Sequence, residues 1–191
     1  MSPSVIILNP VFIDTCNIKK YTKSTLINRI IFVGRLAPSK RADWIVDIQK
    51  GLGLPGVIIG EGEMLSSLQD LAVRNGVEIE FTGFQKDPWA IRNAGDLLVI
   101  PSAHEGDGLI IIEGLAAEVP MILADIPEFR RFGFPEINYA CSPNDVIQKV
   151  IANKHRLDAF RIPEEMSRDI LVHRTELLVS DSWVEFLAEN T

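Results

Sequence analysis

Two basic and two acidic residues stand in loops that follow strand-like apolar runs, or in the helix just beyond, and their types suit a ligand that carries both negative charge and hydroxyls. The first loop is Gly34-Arg-Leu-Ala-Pro-Ser-Lys40-Arg41. Arg35 and Lys40 are five residues apart, so one loop can fold both onto a single anion. Arginine offers phosphate oxygens a planar fork, and lysine offers a point charge. The alternative is that Lys40 and Arg41 are solvated residues near a helix start. Basic residues there oppose the helix macrodipole, a conflict that a nearby anion resolves.

The second loop is Pro101-Ser-Ala-His-Glu105-Gly-Asp-Gly108, which leads into Leu109-Ile-Ile-Ile-Glu113-Gly-Leu-Ala. Two glycines before a helix let its first amides face an oxyanion. A carboxylate near such a site needs a different partner, and sugar hydroxyls suit it. Glu105 also reads as a loop carboxylate in water. Glu113 interrupts an apolar helix and is poorly solvated unless it has a partner. His104 reads as a structural loop residue. A third loop carries Gly60-Glu-Gly62, which a plain turn explains as well as a ligand does. No GxxxxGK[ST] pattern occurs, which disfavours a P-loop nucleotidase.

These loops need rigid elements beneath them. Short apolar runs at 29–34, 57–59, 77–82, 96–100, 120–124 and 137–141 predict strands. Between them, helical spacing predicts helices over 40–52, 64–74, 88–93, 109–117, 128–131 and 145–154. In the last of these Val146, Ile147, Val150 and Ile151 are expected to face inward. Apolar strands alternating with amphipathic helices predict an α/β, doubly wound, Rossmann-like parallel sheet of about six strands with helices on both faces. Residues 1–28 read as an entry segment and loop, 29–160 as the sheet domain, and 161–191 as a helical tail with helices over 164–178 and 182–189.

The 191 residues carry 19 basic and 26 acidic side chains, a net charge of −7, which argues against a nucleic-acid surface. No apolar run approaches the roughly 20 residues of a membrane span. Cys16 and Cys141 make neither a disulfide framework nor a zinc site. Cytoplasmic localisation is the simplest setting.

Together these motifs resemble the C-terminal, donor-binding domain of the GT-B retaining glycosyltransferases of group 1, the glycogen synthase and mannosyltransferase type. The resemblance rests on Gly34, Arg35 and Lys40 after the first strand, Gly60 and Gly62 after the second, and Gly83 and Phe84 after the third. It rests most on Pro101, Ser102, Glu105, Gly106, Gly108 and Glu113, in which two glutamates are separated by seven residues. It covers roughly residues 6 to 155, including 7–14 as the segment by which such enzymes enter this domain.

The resemblance implies one half of a GT-B fold, with the acceptor domain outside this chain. It implies a nucleoside-diphosphate sugar of UDP or GDP type as donor, transferred with retention to a hydroxyl of a glycan, lipid-linked sugar or small molecule. Arg35 and Lys40 would neutralise the diphosphate, Glu105 would hold a sugar hydroxyl, and Glu113 would hold the ribose. The amides of Gly106, Asp107, Gly108 and Leu109 would contact sugar and phosphate, with Gly34 and Gly62 shaping the loops and Phe84 and Gln85 near the base. No metal or cofactor is implied. The isolated domain is expected to bind nucleotide weakly and transfer little sugar. The full-length enzyme would sit in the cytoplasm, at the membrane face where its acceptor is lipid-linked. Exposed Leu177, Leu178, Trp183 and Phe186 would favour self-association. Departures from the pattern are Asp107 in place of phenylalanine, Glu118 in place of glycine, and no paired glycines at Asp125-Ile-Pro127-Glu128. The alternatives are a non-catalytic nucleotide-sugar-binding module and an epimerase-type domain.

Overall fold

The strands are too apolar for either face to meet water, so helices must cover both sides. A computed structural model, describing residues 24–179, shows this arrangement. Strands β1 (Arg29–Val33), β2 (Gly56–Ile59), β3 (Ile79–Gly83), β4 (Asp96–Ile100), β5 (Met121–Ala124) and β6 (Tyr139–Ala140) form one sheet in the order β3-β2-β1-β4-β5-β6. All the pairings are parallel. The helices are α1 (Asp43–Leu52), α2 (Leu65–Asn75), α3 (Leu109–Ala116), α4 (Pro127–Arg130), α5 (Pro143–Ala152) and α6 (Glu164–Val179).

Strands β2, β4 and β5 are buried at every position. Alternate residues feed two cores. Ile30, Phe32, Ile58, Leu97 and Val99 pack with Ile45 and Ile48 of α1, Leu68 of α2, and Val146 and Val150 of α5. Ile31, Val57, Leu98, Ile100 and Leu123 pack on the other face with Ile111 and Leu115 of α3 and Phe129 of α4. Met166, Ile170 and Leu171 of α6 close over this second core. Each such side chain contributes about 1.5–3 kcal/mol on full burial.

The doubly wound, six-stranded architecture agrees with the sequence reading. Local differences have physical causes. The helix expected over 40–52 begins at Asp43, because Arg41 takes a left-handed backbone (φ 47, ψ 44) after a 3₁₀ turn at Pro38–Lys40. The third strand is shifted to Ile79–Gly83. The segment 88–93 is a 3₁₀ turn, Pro88–Ile91, rather than a helix. The sixth strand has only two residues, because a 3₁₀ turn at Glu136–Asn138 precedes it. Buried Asn138 fixes that turn, donating through Nδ2 to Met121 O and Phe160 O, both at 2.8 Å. Ile151, expected inward, lies on the outer face of α5 and is 58% exposed. The entry segment 7–14, the helix expected over 182–189 and the side chains of Leu177, Leu178, Trp183 and Phe186 lie outside the described residues.

Candidate functional site

The strand order reverses at β1 and β4. Crossovers leaving these two neighbours run in opposite directions and open a crevice at the carboxyl ends of the strands. The loops that flank it are 34–40, after β1, and 101–108, after β4.

The first loop is welded to the turn after β2. Gly34 N donates to Ile59 O at 3.0 Å, Leu36 N to Glu61 O at 2.8 Å, and Met64 N to Leu36 O at 3.0 Å. This approach requires Gly60 and Gly62. A Cβ on Gly60 would lie 2.9 Å from the Gly34 carbonyl carbon and nearer still to its oxygen. A Cβ on Gly62 would lie 2.7 Å from the Leu36 carbonyl carbon. Their φ values, 143° and 156°, also disfavour any side chain. The Gly-Glu-Gly motif, ambiguous in sequence, thus permits backbone-to-backbone packing. Glu61 extends the weld: its Oε1 accepts from Phe84 N at 3.3 Å. Phe84 presents its ring to solvent at 71% exposure, and Gln85 Nε2 donates to Thr82 O at 3.1 Å.

The loop after β1 also meets the loop after β4. Ala103 N donates to Ser39 O at 2.8 Å. Lys40 Nζ donates to Glu105 Oε2 at 2.5 Å, and Ser102 Oγ donates to the same oxygen at 3.4 Å. Arg41 Nε and Nη2 donate to Pro101 O and Ser102 O at 2.6 and 3.0 Å. Arg35 is exposed and makes no side-chain hydrogen bond or ion pair among the described residues. Beyond Glu105, Gly106 O accepts from Arg131 Nη2 at 2.7 Å. Asp107 is half-buried. Gly108 (φ 72) caps α3, with the Phe132 ring 3.2 Å from where a Cβ would sit. Ile111 N and Ile112 N donate back to Gly108 O, while the amides of Leu109 and Ile110 have no acceptor among the described residues. Those amides and Arg35 are donors at this rim with no acceptor among the described residues.

Residues 27–155 match the family described as Glycosyl transferases group 1. The chain belongs to this family. A glycosyltransferase of Methanocaldococcus jannaschii is 27% identical over 129 residues, 63% of this chain and 36% of that protein. A GDP-mannose-dependent α-(1-6)-phosphatidylinositol dimannoside mannosyltransferase of Mycobacterium tuberculosis is 33% identical over 103 residues, 50% of this chain and 26% of that one. The chain therefore spans about a third or less of the curated relatives it matches. Among solved structures, Anabaena HepE in complex with UDP and glucose is similar, with a TM-score of 0.64 at 15% identity over 86% of this chain and 48% of that one. The catalytic domain of a Helicobacter pylori cholesterol-α-glucosyltransferase is similar with a TM-score of 0.61 at 20% identity, covering 78% of this chain and 98% of that one. These likenesses show the α/β, Rossmann-like domain fold that GT-B glycosyltransferases contain.

In this group 1 domain the structure joins Lys40 directly to Glu105, and Arg35 is exposed in the same loop as Lys40. Glu113 sits one turn into α3, half-buried, and receives the indole N–H of Trp89. Burial pushes its carboxyl above the ordinary carboxylate range, against the opposing effect of that hydrogen bond. A carboxyl raised in the folded state binds more protons folded than unfolded as pH rises through the window between the two values. Its ionisation therefore subtracts stability above that window and subtracts none below it. Glu113→Gln, which keeps the acceptor for Trp89, is expected to raise Tm at neutral pH. That gain should vanish below the ordinary carboxylate range in thermal scans across pH.

His104 is 85% exposed at its side chain and lies 3.9 Å from Glu128 Oε1, as befits a surface loop residue. Glu118 is an exposed helix end with φ 52, which explains why a glycine suits that position. Three contributors were missed in the sequence. Arg41 is a loop clamp and not a solvated residue. Trp89 is the partner of Glu113, and Arg131 holds Gly106. Only the Lys40-Arg41 pairing carried any signal, and it was ambiguous.

Proposed function

We propose that this chain is the donor-binding domain of a retaining glycosyltransferase that moves a sugar from a nucleoside-diphosphate sugar to an acceptor hydroxyl. The observation that carries the reading is the meeting of a cationic loop and an acidic loop at the β1/β4 crevice, beside amides of α3 that have no acceptor among the described residues. Breaking a sugar–phosphate bond builds negative charge on the departing diphosphate. Arg35, Lys40 and the amides of Leu109 and Ile110 supply fixed positive charge there, and preorganised donors of this kind are worth several kcal/mol in a transition state. Glu105, held by Lys40 and Ser102, presents its carboxylate to a donor-sugar hydroxyl. Glu113 is the ribose ligand, and Phe84 and Gln85 border the base. The acceptor, be it a glycan, a lipid-linked sugar or a small molecule, is bound by a further domain. Among the described residues no helix is long and apolar enough to cross a membrane. The UDP bound to Anabaena HepE and the GDP-mannose named for the mycobacterial relative support both bases as candidates.

Calorimetric titration of the chain with UDP, GDP and ADP tests this reading. Binding of one of them is expected, with Arg35→Ala and Glu113→Ala each weakening it about tenfold to a hundredfold. Affinities left unchanged by both substitutions would put the site elsewhere. No binding at millimolar nucleotide with the fold intact would favour a non-catalytic module.

A further inference from the structure

Arg41 is one of two non-glycine residues with a left-handed backbone among the described residues. The other, Glu118, merely ends a helix. Such a conformation persists where the surroundings over-determine it, and it concentrates at ligand sites. Here the surroundings are the guanidinium's own partners. Nε donates to Pro101 O at 2.6 Å, Nη2 donates to Ser102 O at 3.0 Å, and the group lies 4.8 Å from the centroid of the Trp44 ring. Trp44 is buried on α1. The two carbonyls lie just ahead of Glu105, and Arg41 directly follows Lys40. One side chain therefore ties the backbone that carries the acid to the backbone that carries the cation. Two carbonyls in this arrangement require a planar fork, which lysine lacks.

We propose that Arg41 is a positioning residue: it sets the spacing of Lys40 and Glu105, and through them the affinity of the site for a nucleoside diphosphate. The affinity half rests on the donor-binding reading above; the spacing half does not.

Arg41→Gly removes the clamp while suiting the left-handed backbone, and Arg41→Lys keeps the charge without the fork. Amide hydrogen exchange at Ala103, which donates to Ser39 across the two loops, reads the spacing without any ligand. Exchange is expected to quicken about tenfold in both variants, and affinity for UDP or GDP to fall about tenfold. In a Lys40→Ala background the further effect of Arg41→Gly should shrink below about twofold. General loss of stability would not produce that non-additivity. Unchanged exchange at Ala103, or additive losses of affinity, would overturn the proposal. Should the unaltered chain bind neither nucleotide, the donor-binding reading and the affinity half fall together, and exchange alone decides the spacing half.

Discussion

Alanine at Gly60 is expected to destabilise the protein by about 3–5 kcal/mol, a large fraction of a typical stability of about 5–15 kcal/mol. Two costs add there. The φ of 143° is one that side chains rarely adopt, and the new methyl would press into the backbone of Gly34, which β1 and the turn after β2 hold from both sides. A flexible side chain could swing away; a carbonyl in a welded loop cannot. Gly62→Ala should behave alike, since its methyl meets the Leu36 backbone. Gly53→Ala is the control. Its φ is 65°, yet nothing lies within 4 Å of the added carbon, so the conformational cost of about 1–2 kcal/mol stands alone. Urea unfolding of the three variants separates the terms. Equal losses at Gly60 and Gly53 would show that the two loops are not in backbone contact.

The second large effect lies at the opposite end of the same strands. Arg29, which opens β1, grips Asp96, which opens β4, through Nε–Oδ1 at 2.7 Å and Nη2–Oδ2 at 2.8 Å. Nη2 also donates to Ile91 O at 2.9 Å. Asp96 is only 1% exposed. Arg29→Ala would leave its carboxylate with one described donor, the Asn93 amide at 2.7 Å. Removing one partner of a buried pair costs about 3–5 kcal/mol, because the remaining charge is uncompensated. The Arg29→Met, Asp96→Leu double variant should recover to within about 1–2 kcal/mol of the parent, the residue of the loss being the orphaned Asn93 amide. A double variant as unstable as Arg29→Ala would mean that the pair contributes through something other than its charges.

Much of this protein is legible in its sequence, for reasons that particular residues make plain. Strands β2, β4 and β5 are apolar because both faces are covered, and that same feature marks them as parallel. Glycines, prolines and charges punctuate the runs, so Gly34, Gly60 and Gly83 announce the loops that follow. That Lys40 and Glu105 share one rim follows once β1 and β4 are neighbours, because each residue sits in the loop after its strand; their direct ion pair is a finding of the structure. What stayed hidden depends on contacts distant in sequence. Nothing in Trp89 foretells that a 3₁₀ turn will aim its indole at Glu113. Nothing in Arg41 distinguishes a helix-start cation from a fork that grips Pro101 and Ser102, because the left-handed φ that separates it from α1 is a tertiary outcome. Ile151 was misplaced because α5 buries a narrower stripe than its apolar residues suggest: Val146 and Val150 are buried and Ile147 partly so.

The reversal in strand order has a consequence for how the protein is made. Lys40 and Glu105 are 65 positions apart, and Arg41 and the Pro101 carbonyl 60. During synthesis the cationic arm leaves the ribosome well before its acidic counterpart exists. Until β4 has been translated and docked beside β1, the nascent chain has half a rim and nothing to close it. The rim as a whole therefore forms only once the central pair of strands is complete, and chain order alone sets that timing.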